Sequence, residues 1–369
     1  MSDGSQAGAP AAAAGSGRRL AGIDLARCLA IIGMVAVHIS PSGTGSPLAY
    51  VLAVPRGRSA VLFGLLAGVG VSILASGRSR SVREARGVLV WRAAVLLPLG
   101  LWLQTLDHDV AVILADYAVL FLLAVVVMAW PDRWLLGLAT VSATIGSLGY
   151  LAGVVRDPQR FARVPAEWGE PLLTNLDRLV LTGPYPLVTW AAPFCVGIWL
   201  GRRRLGTVRV QRRMLLVGAG VALAVPALAW LLGRFVVPGA AEGWWQLLDD
   251  VPHRQMPLWL LSATASAVAV LGASLLLAER APRLVAPLAA AGQLAFTWYV
   301  AHLVILHLAP SVLRTGSNVG TFAAVAVFTV VMALVSPLWL RIAPRGPLEW
   351  ALQPPWRSAR TSDRSSPRS

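Results

Sequence analysis

Apolar stretches of roughly 20 residues recur along the chain from Leu20 to Leu340, and each is long enough to cross a bilayer core as a helix. The mean hydropathy is +0.66, and only 13% of the residues are charged. Ordinary globular proteins contain about 25% charged residues. This pattern excludes a soluble enzyme, a disordered protein and a small secreted domain held by disulfides.

The sequence therefore predicts an all-α fold, a polytopic transmembrane bundle of about ten helices. The predicted transmembrane domain covers residues 18–352. Residues 1–17 are rich in Ala, Gly and Ser and residues 353–369 are rich in Arg, so both are predicted to be disordered tails. The predicted spans are residues 20–39, 58–76, 88–106, 110–130, 134–154, 184–201, 214–236, 257–279, 286–309 and 318–340.

The distribution of basic residues predicts how the helices are oriented. The net charge is +15, and all 32 residues counted as Lys or Arg are arginines. Most of them lie near the termini or in short connections between spans, so they are expected to act as topology signals and not as a nucleic-acid surface. The positive-inside rule then places both termini in the cytoplasm and the long connections 40–57, 155–183 and 237–256 outside. The expected location is the inner (plasma) membrane, crossed several times.

The first span carries three ionisable residues, which are candidates for function because charges inside a membrane are costly. Asp24 and Arg27 are three residues apart and can pair on one helix face. Arg27 and His38 are eleven apart, so they share a face at a separation of about 16 Å. One interpretation makes His38 a general base and Arg27 an anchor for an anionic substrate. The other makes Asp24 and Arg27 a structural pair and bonds His38 to a loop carbonyl.

Four further residues are weaker candidates: Arg58 at the start of the second span, Asp116 in the fourth, and Tyr299 with His302 in the ninth. Asp116 is expected to pair with Arg58 or with Arg92. His302 and His307 lie on different sides of their helix, so no metal site is predicted.

The connections between the predicted spans and the two cysteines offer weaker candidates for function. His108 lies between two aspartates, and His253 follows Asp249 and Asp250. Both segments are expected to be solvated loops, although each could also take part in acid–base or acceptor chemistry. Cys28 and Cys195 lie far apart inside apolar stretches and are read as small buried side chains.

The stretch RLAGIDLARCLAIIGMVAVHI, at the first span, resembles the opening of two related membrane families. The spacing of Arg27, ten residues and His38 is similar to the signature of the acyltransferase-three family of membrane O-acyltransferases. The whole stretch resembles the heparan-alpha-glucosaminide N-acetyltransferase family and the allied uncharacterised bacterial inner-membrane proteins. The later stretches GRSAVLFGLLAGVGVSIL, LTGPYPLVTWAAPFCVGIWLGR, AGQLAFTWYVAHLVILHL and RGPLEW resemble the same group.

This resemblance implies a cytoplasmic acyl donor, usually acetyl-CoA, and an extracytoplasmic sugar or glycan acceptor. If the roles of the family residues apply at the matching positions, His38 would be the catalytic base and Arg27 would support the site. Arg58 and Glu349 would join them because they lie in matching motifs. The glucosaminide family carries Asn at the position of His38 and its catalytic His in the following loop, whereas residues 40–57 here contain no His. Either His38 does that work or this chain has lost the chemistry.

The prediction from sequence is an acyltransferase that moves an acyl group, first of all acetyl, to a hydroxyl or amine of an extracytoplasmic carbohydrate or lipid-linked glycan. No bound cofactor is expected; acyl-CoA is the co-substrate, membrane lipid is a partner, and a homodimer is the candidate assembly. The rival prediction is a lipid or glycan transporter that uses Asp116, Arg92 and His302 as a polar pathway. A third is a non-catalytic partner in envelope assembly. The all-arginine usage fits a bacterium with a high-GC genome.

Overall fold

A computed structural model describes residues 20–41, 46–77, 81–237 and 242–356. Within these ranges every regular element is a helix and no strand occurs. The predicted tail 1–17 lies outside the described residues, as does 357–369 of the predicted tail 353–369. Residues 353–356 continue the packed structure, because the ring of Trp356 lies 5.7 Å from that of Trp91.

The first half of the chain forms nine α-helical segments, interrupted by two π-helical turns at Ser142–Gly146 and Arg178–Thr182. These are α1 (Ala21–Ile39), α2 (Pro47–Ala53), α3 (Arg58–Ala75), α4 (Val82–Gln104), α5 (Leu114–Val127), α6 (Asp132–Val141), α7 (Ser147–Arg156), α8 (Leu172–Asp177) and α9 (Leu187–Gly201).

The second half forms seven α-helices and one 3₁₀ turn at Gly243–Leu248. These are α10 (Val208–Phe235), α11 (Pro257–Arg280), α12 (Pro282–Gln293), α13 (Ala295–Leu308), α14 (Pro310–Leu313), α15 (Asn318–Ile342) and α16 (Pro347–Ala351).

Local sequence explains where several helices begin. Ser81 and Glu84 form a capping box at α4, in which each side chain accepts a hydrogen bond from the backbone of the other. Ser317 caps α15 through the Gly320 N–H. Proline occupies the first turn of α11, α12, α14 and α16, where its missing N–H removes no helical bond.

The helices are those of a multi-pass membrane protein. Among the described residues, seven helical stretches are long and apolar enough to cross a membrane, and the number rises to nine if each of two bent pairs counts as one span. The bent pairs are Leu172–Thr182 with Leu187–Gly201, at 59°, and Pro282–Gln293 with Ala295–Leu308, at 67°. The fourth predicted span, residues 110–130, coincides with α5, whose 14 residues rise only about 21 Å, less than a hydrocarbon core of about 30 Å. The count of ten stays a prediction.

The centre of the bundle is built around α1, whose most apolar window is 72% buried, whereas that of α10 is only 17% buried. Glycines permit the closest helix contacts. A Cβ on Gly292 would lie 1.7 Å from the Asp24 carbonyl oxygen, so α12 passes directly against α1 just before the chain bends into α13. A Cβ on Gly68 would lie 2.2 Å from the Phe194 carbonyl oxygen, so α3 packs closely against α9.

Connections gather at two opposite ends of the bundle. At one, here called the histidine end, the Arg314 guanidinium bonds Asp109 at 3.0 Å and the Asn318 amide bonds Ser46 at 3.0 Å. At the other, called the arginine end, the Trp91 indole donates to the Ala351 carbonyl at 2.9 Å. The long connections that carry Gly57, Arg163 and His253 meet at the histidine end.

Candidate functional site

A small cavity at the histidine end, here called the histidine cavity, has a volume of about 30 Å³. Its wall combines α1, the start of α3, α13 and four connections, so it exists only in the folded bundle. Among the described residues, no Asp, Glu or Arg side chain lines it. The residues that line it include Met34, His38, Gly57, Tyr185, His253 and Tyr299.

The His38 imidazole is held from behind by His302. The His38 Nδ1 and the His302 Nε2 are 3.0 Å apart, and the two rings stack at a centroid distance of 5.3 Å. His302 is fully buried and does not line the cavity, whereas His38 does. A hydrogen bond donated by the His38 Nδ1 to His302 leaves the His38 Nε2 with a lone pair that can accept a proton. The arrangement matches a base with a second group that orients it.

His253 enters the same cavity from the connection before α11. Its ring lies 5.8 Å from the ring of Tyr185 and 5.8 Å from that of Trp259. The backbone at His253 and at Gln255 is left-handed, with φ of 62° and 64°, a conformation that costs energy in non-glycine residues. Burial, together with the charges of Arg163 and Arg56, lowers the pKa of His253 to about 4. The sequence expectation of a solvated loop was wrong for this residue.

Gln255 holds this strained connection in place. Its side chain is fully buried, accepts hydrogen bonds from Thr189 at 3.2 Å and the Trp190 indole at 3.0 Å, and donates to the Pro184 carbonyl at 2.8 Å. The amide oxygen therefore accepts two hydrogen bonds, and one of the two amide N–H groups donates. His253 is therefore placed by a neighbour that anchors the connection to α9.

A second cavity of about 220 Å³, the arginine cavity, opens toward the arginine end. Arg27, Arg92 and Glu349 line it together with apolar side chains of α3, α4 and α5. The predicted pair forms: the Arg27 guanidinium bonds the buried Asp24 carboxylate at 2.8 Å. The Arg92 guanidinium lies 6.0 Å from the centre of the Phe121 ring. Two guanidinium groups in its lining suit an anionic ligand.

Three side chains belong to both cavities: Met34, Ile113 and Tyr299. All three are buried. The Tyr299 hydroxyl accepts a hydrogen bond from the Ile113 N–H at 3.3 Å, which leaves its own proton free to be donated. Arg27 and His38 share a helix face as the spacing predicts, and they line the two cavities on either side of this wall.

Glu349 links the C-terminal segment to α13. Its carboxylate accepts hydrogen bonds from the Phe296 N–H at 2.8 Å, the Thr297 N–H at 3.1 Å and the Thr297 hydroxyl at 2.6 Å. The helix has no cap from its own N-cap residue, Leu294, so Glu349 supplies one from a distance. Glu349 thereby fixes the helix that carries Tyr299 and His302, besides lining the arginine cavity.

Arg58 does not pair with Asp116 as the sequence suggested. Its guanidinium bonds the Asp250 carboxylate at 3.1 Å and Ser262 at 3.2 Å, because the connection before α11 folds over the start of α3. Asp116 is buried in the first turn of α5, and within the described ranges its carboxylate forms no ion pair. It lines neither of the two cavities.

His108 is buried and not solvated. Its Nε2 lies 3.0 Å from the Leu103 carbonyl, and its Nδ1 accepts from the Val110 N–H at 3.1 Å. Both ring nitrogens are therefore used to shape the turn between α4 and α5. In the described part of the chain no three His, Cys, Asp or Glu side chains group around a metal-sized site.

Residues 200–359 match a protein family of unknown function (DUF418). The matched stretch contains α10 to α16 and so includes Tyr299, His302 and Glu349, whereas Arg27 and His38 precede it. No curated protein matches the chain.

Proposed function

We propose that this chain is a membrane acyltransferase. It moves an acyl group, first of all acetyl, from cytoplasmic acyl-CoA to an extracytoplasmic carbohydrate or lipid-linked glycan. In this proposal the bundle crosses the bacterial inner membrane ten times and both termini are cytoplasmic. The arginine end then faces the cytoplasm, as the positive-inside rule requires. The similarity of the first span to the acyltransferase-three and glucosaminide N-acetyltransferase families points the same way.

The observation that carries the proposal is the wall that the two cavities share. A transferase that works across a membrane needs a donor site and an acceptor site that open to opposite sides and meet at the reacting atoms. The arginine cavity offers guanidinium groups for the phosphates of CoA and apolar side chains for its arm. The histidine cavity offers a base. Met34, Ile113 and Tyr299 lie between them.

The chemistry follows from the positions of three groups. The His38 Nε2 takes the proton of the acceptor hydroxyl as its oxygen attacks the thioester carbonyl carbon. The Tyr299 hydroxyl donates to the carbonyl oxygen as negative charge develops there. The carbon–sulfur bond then breaks, and the CoA thiolate takes the proton that His38 holds. His302 keeps the His38 ring in the tautomer that this step requires. Met34 is unbranched and flexible, which suits a side chain that must move aside for the thioester.

Binding of acetyl-CoA to the purified protein tests the donor half of the proposal. Arg27→Gln combined with Asp24→Asn removes both charges of the buried pair, so that neither is left unpaired. We expect saturable binding that weakens at least about tenfold in this double variant. Arg209→Ala, at an exposed arginine outside the cavity, is the matched control and should bind as the wild type does. Absence of binding at millimolar acetyl-CoA would overturn the proposal.

Release of CoA in a cell-envelope extract tests the acceptor half. His38→Ala should abolish release while acetyl-CoA binding persists, because the base is on the other side of the wall from the donor. A transporter would behave differently: its turnover would depend on proton coupling and would not require acetyl-CoA. Unchanged release with His38→Ala would remove His38 from the mechanism.

A further inference from the structure

The histidine cavity contains a second imidazole that the mechanism has not used. His253 faces the same space as His38, and among the described residues neither of its ring nitrogens has a hydrogen-bond partner. A neutral imidazole has one donor and one acceptor. A hydroxyl group also has both, so an acceptor hydroxyl in this cavity would complement His253.

The volume of the cavity limits what can enter. In the measure used for internal cavities, one water needs roughly 10–15 Å³, and this cavity has about 30 Å³. It therefore has room for two heavy atoms, which is the size of a CH₂–OH group. A primary carbinol leaves one carbon substituent outside this space, whereas a secondary carbinol leaves two, so the primary group enters with less steric crowding.

The charge of the lining also discriminates between acceptor groups. In the part of the chain that the structure describes, no Asp, Glu or Arg side chain lines the histidine cavity, and the nearby acidic side chains are engaged: Asp250 with Arg58, and Asp249 with Arg254. An ammonium group would lose its hydration without gaining a carboxylate, which is unfavourable. A neutral hydroxyl loses far less. The burial of His253 keeps its ring uncharged at neutral pH, because its pKa lies near 4.

We propose that the acceptor is a primary alcohol, and that its hydroxymethyl group enters the histidine cavity between His38 and His253. His253 is then an acceptor-binding residue, and the Gln255 anchor positions it. This inference rests on the proposed function and narrows its acceptor class from any hydroxyl or amine to the CH₂OH group of a polyol or sugar.

Deuterium exchange at the Cε1–H of the His253 ring, read by mass spectrometry, tests the inference without any acyl transfer, because the probe is water, which fits the cavity. Glycerol supplies primary hydroxyls, and butane-2,3-diol, which carries secondary hydroxyls only, is the matched probe. Glycerol at about five times its Kd should slow this exchange at His253 roughly sixfold, and butane-2,3-diol at the same concentration should not. His307, partly exposed and outside the cavity, is the internal control. Equal protection by both alcohols, no protection, or absence of exchange at His253 in the free protein would each overturn the inference.

A second experiment measures acetyl transfer to the same alcohols. His253→Gln keeps a hydrogen-bonding side chain, and His253→Leu does not. We expect the KM for glycerol to rise about tenfold in His253→Leu, with kcat nearly unchanged and partial recovery in His253→Gln. An unchanged KM in the folded His253→Leu protein would overturn the role of His253.

The two proposals fail separately. Selective protection by glycerol without any acetyl transfer would support the acceptor site and overturn the proposal that the protein is an acyltransferase. Acetyl transfer that is as fast to butane-2,3-diol as to glycerol would support the acyltransferase and overturn the proposed selectivity for primary alcohols.

Discussion

The His38 Nδ1 lies 3.0 Å from the Nε2 of His302, although the two residues are 264 positions apart. The contact joins the first membrane helix to α13, and it lies directly behind the cavity that His38 lines. A base that is oriented by a buried partner is a recurrent arrangement in group-transfer sites. The hydrogen bond therefore assigns different roles to two histidines that the sequence offered only as separate candidates.

Removing the partner of His38 should lower turnover without preventing donor binding. His302→Leu deprives His38 of its orienting bond, and we expect kcat to fall about 10²-fold with acetyl-CoA affinity unchanged. His302→Gln offers an amide oxygen in place of Nε2 and should restore part of that loss. Steady-state CoA release gives the rates, and His307→Leu is the control. Equal rates for the Leu and Gln variants would show that His302 only fills space.

The cap that Glu349 provides for α13 should be measurable as stability. Glu349→Ala removes an acceptor shared by two backbone N–H groups and one hydroxyl. Charge-assisted bonds of this kind contribute about 1.5–3 kcal/mol each to stability, so the melting temperature in detergent should fall by several degrees. Glu242→Ala, at an exposed position, should leave it unchanged. A melting temperature equal to that of the wild type would show that α13 does not depend on this contact.

Local pattern predicted the helices well and the site only in part. Apolar length gave the spans, and a spacing of eleven placed Arg27 and His38 on one face of α1. The contacts between His38 and His302 and between Glu349 and α13 join residues far apart in sequence, so no helical period reveals them. His253 was expected in a solvated loop, with acceptor chemistry as the alternative, because a polar loop gives no sign of folding inward. The left-handed backbone at His253 and its Gln255 anchor exist only once α9 and α11 are assembled.

Gly57 is expected to be indispensable for the shape of the histidine cavity. Its φ is 69°, and a Cβ there would lie 2.7 Å from the Trp259 ring. Gly57→Ala should therefore lower the melting temperature and reduce CoA release. Gly169→Ala is the matched control, because Gly169 also has a positive φ, of 93°, but a Cβ there would meet no atom within 4 Å. If both variants lose the same stability, the cost lies in the backbone conformation alone and not in the contact with Trp259.

Two connection histidines should make the protein less stable in acid. Burial, with the charges of His307 and Arg314, lowers the pKa of His108, and burial lowers that of His253 to about 4. Since the unfolded chain titrates near pH 6.5, it binds protons first as the pH falls. Stability is thus full above about pH 6.5 and is lost as the pH falls toward the folded pKa values. Melting temperatures between pH 7.5 and 4.5 should show this decline, and His108→Gln should reduce its slope. An unchanged slope would exclude His108 as a source.

The orientation of the bundle decides whether the donor and acceptor sites face the sides that acyl transfer requires. Glu242→Cys places a thiol at the histidine end and Gly206→Cys one at the arginine end, where an added side chain meets nothing within 4 Å. A membrane-impermeant maleimide should label Glu242→Cys in intact cells and Gly206→Cys only after permeabilisation. The native Cys28 and Cys195 are both fully buried, so the unmodified protein supplies the background. The reverse labelling pattern would put the arginine cavity outside, away from cytoplasmic acyl-CoA, and would rule out the proposed direction of transfer.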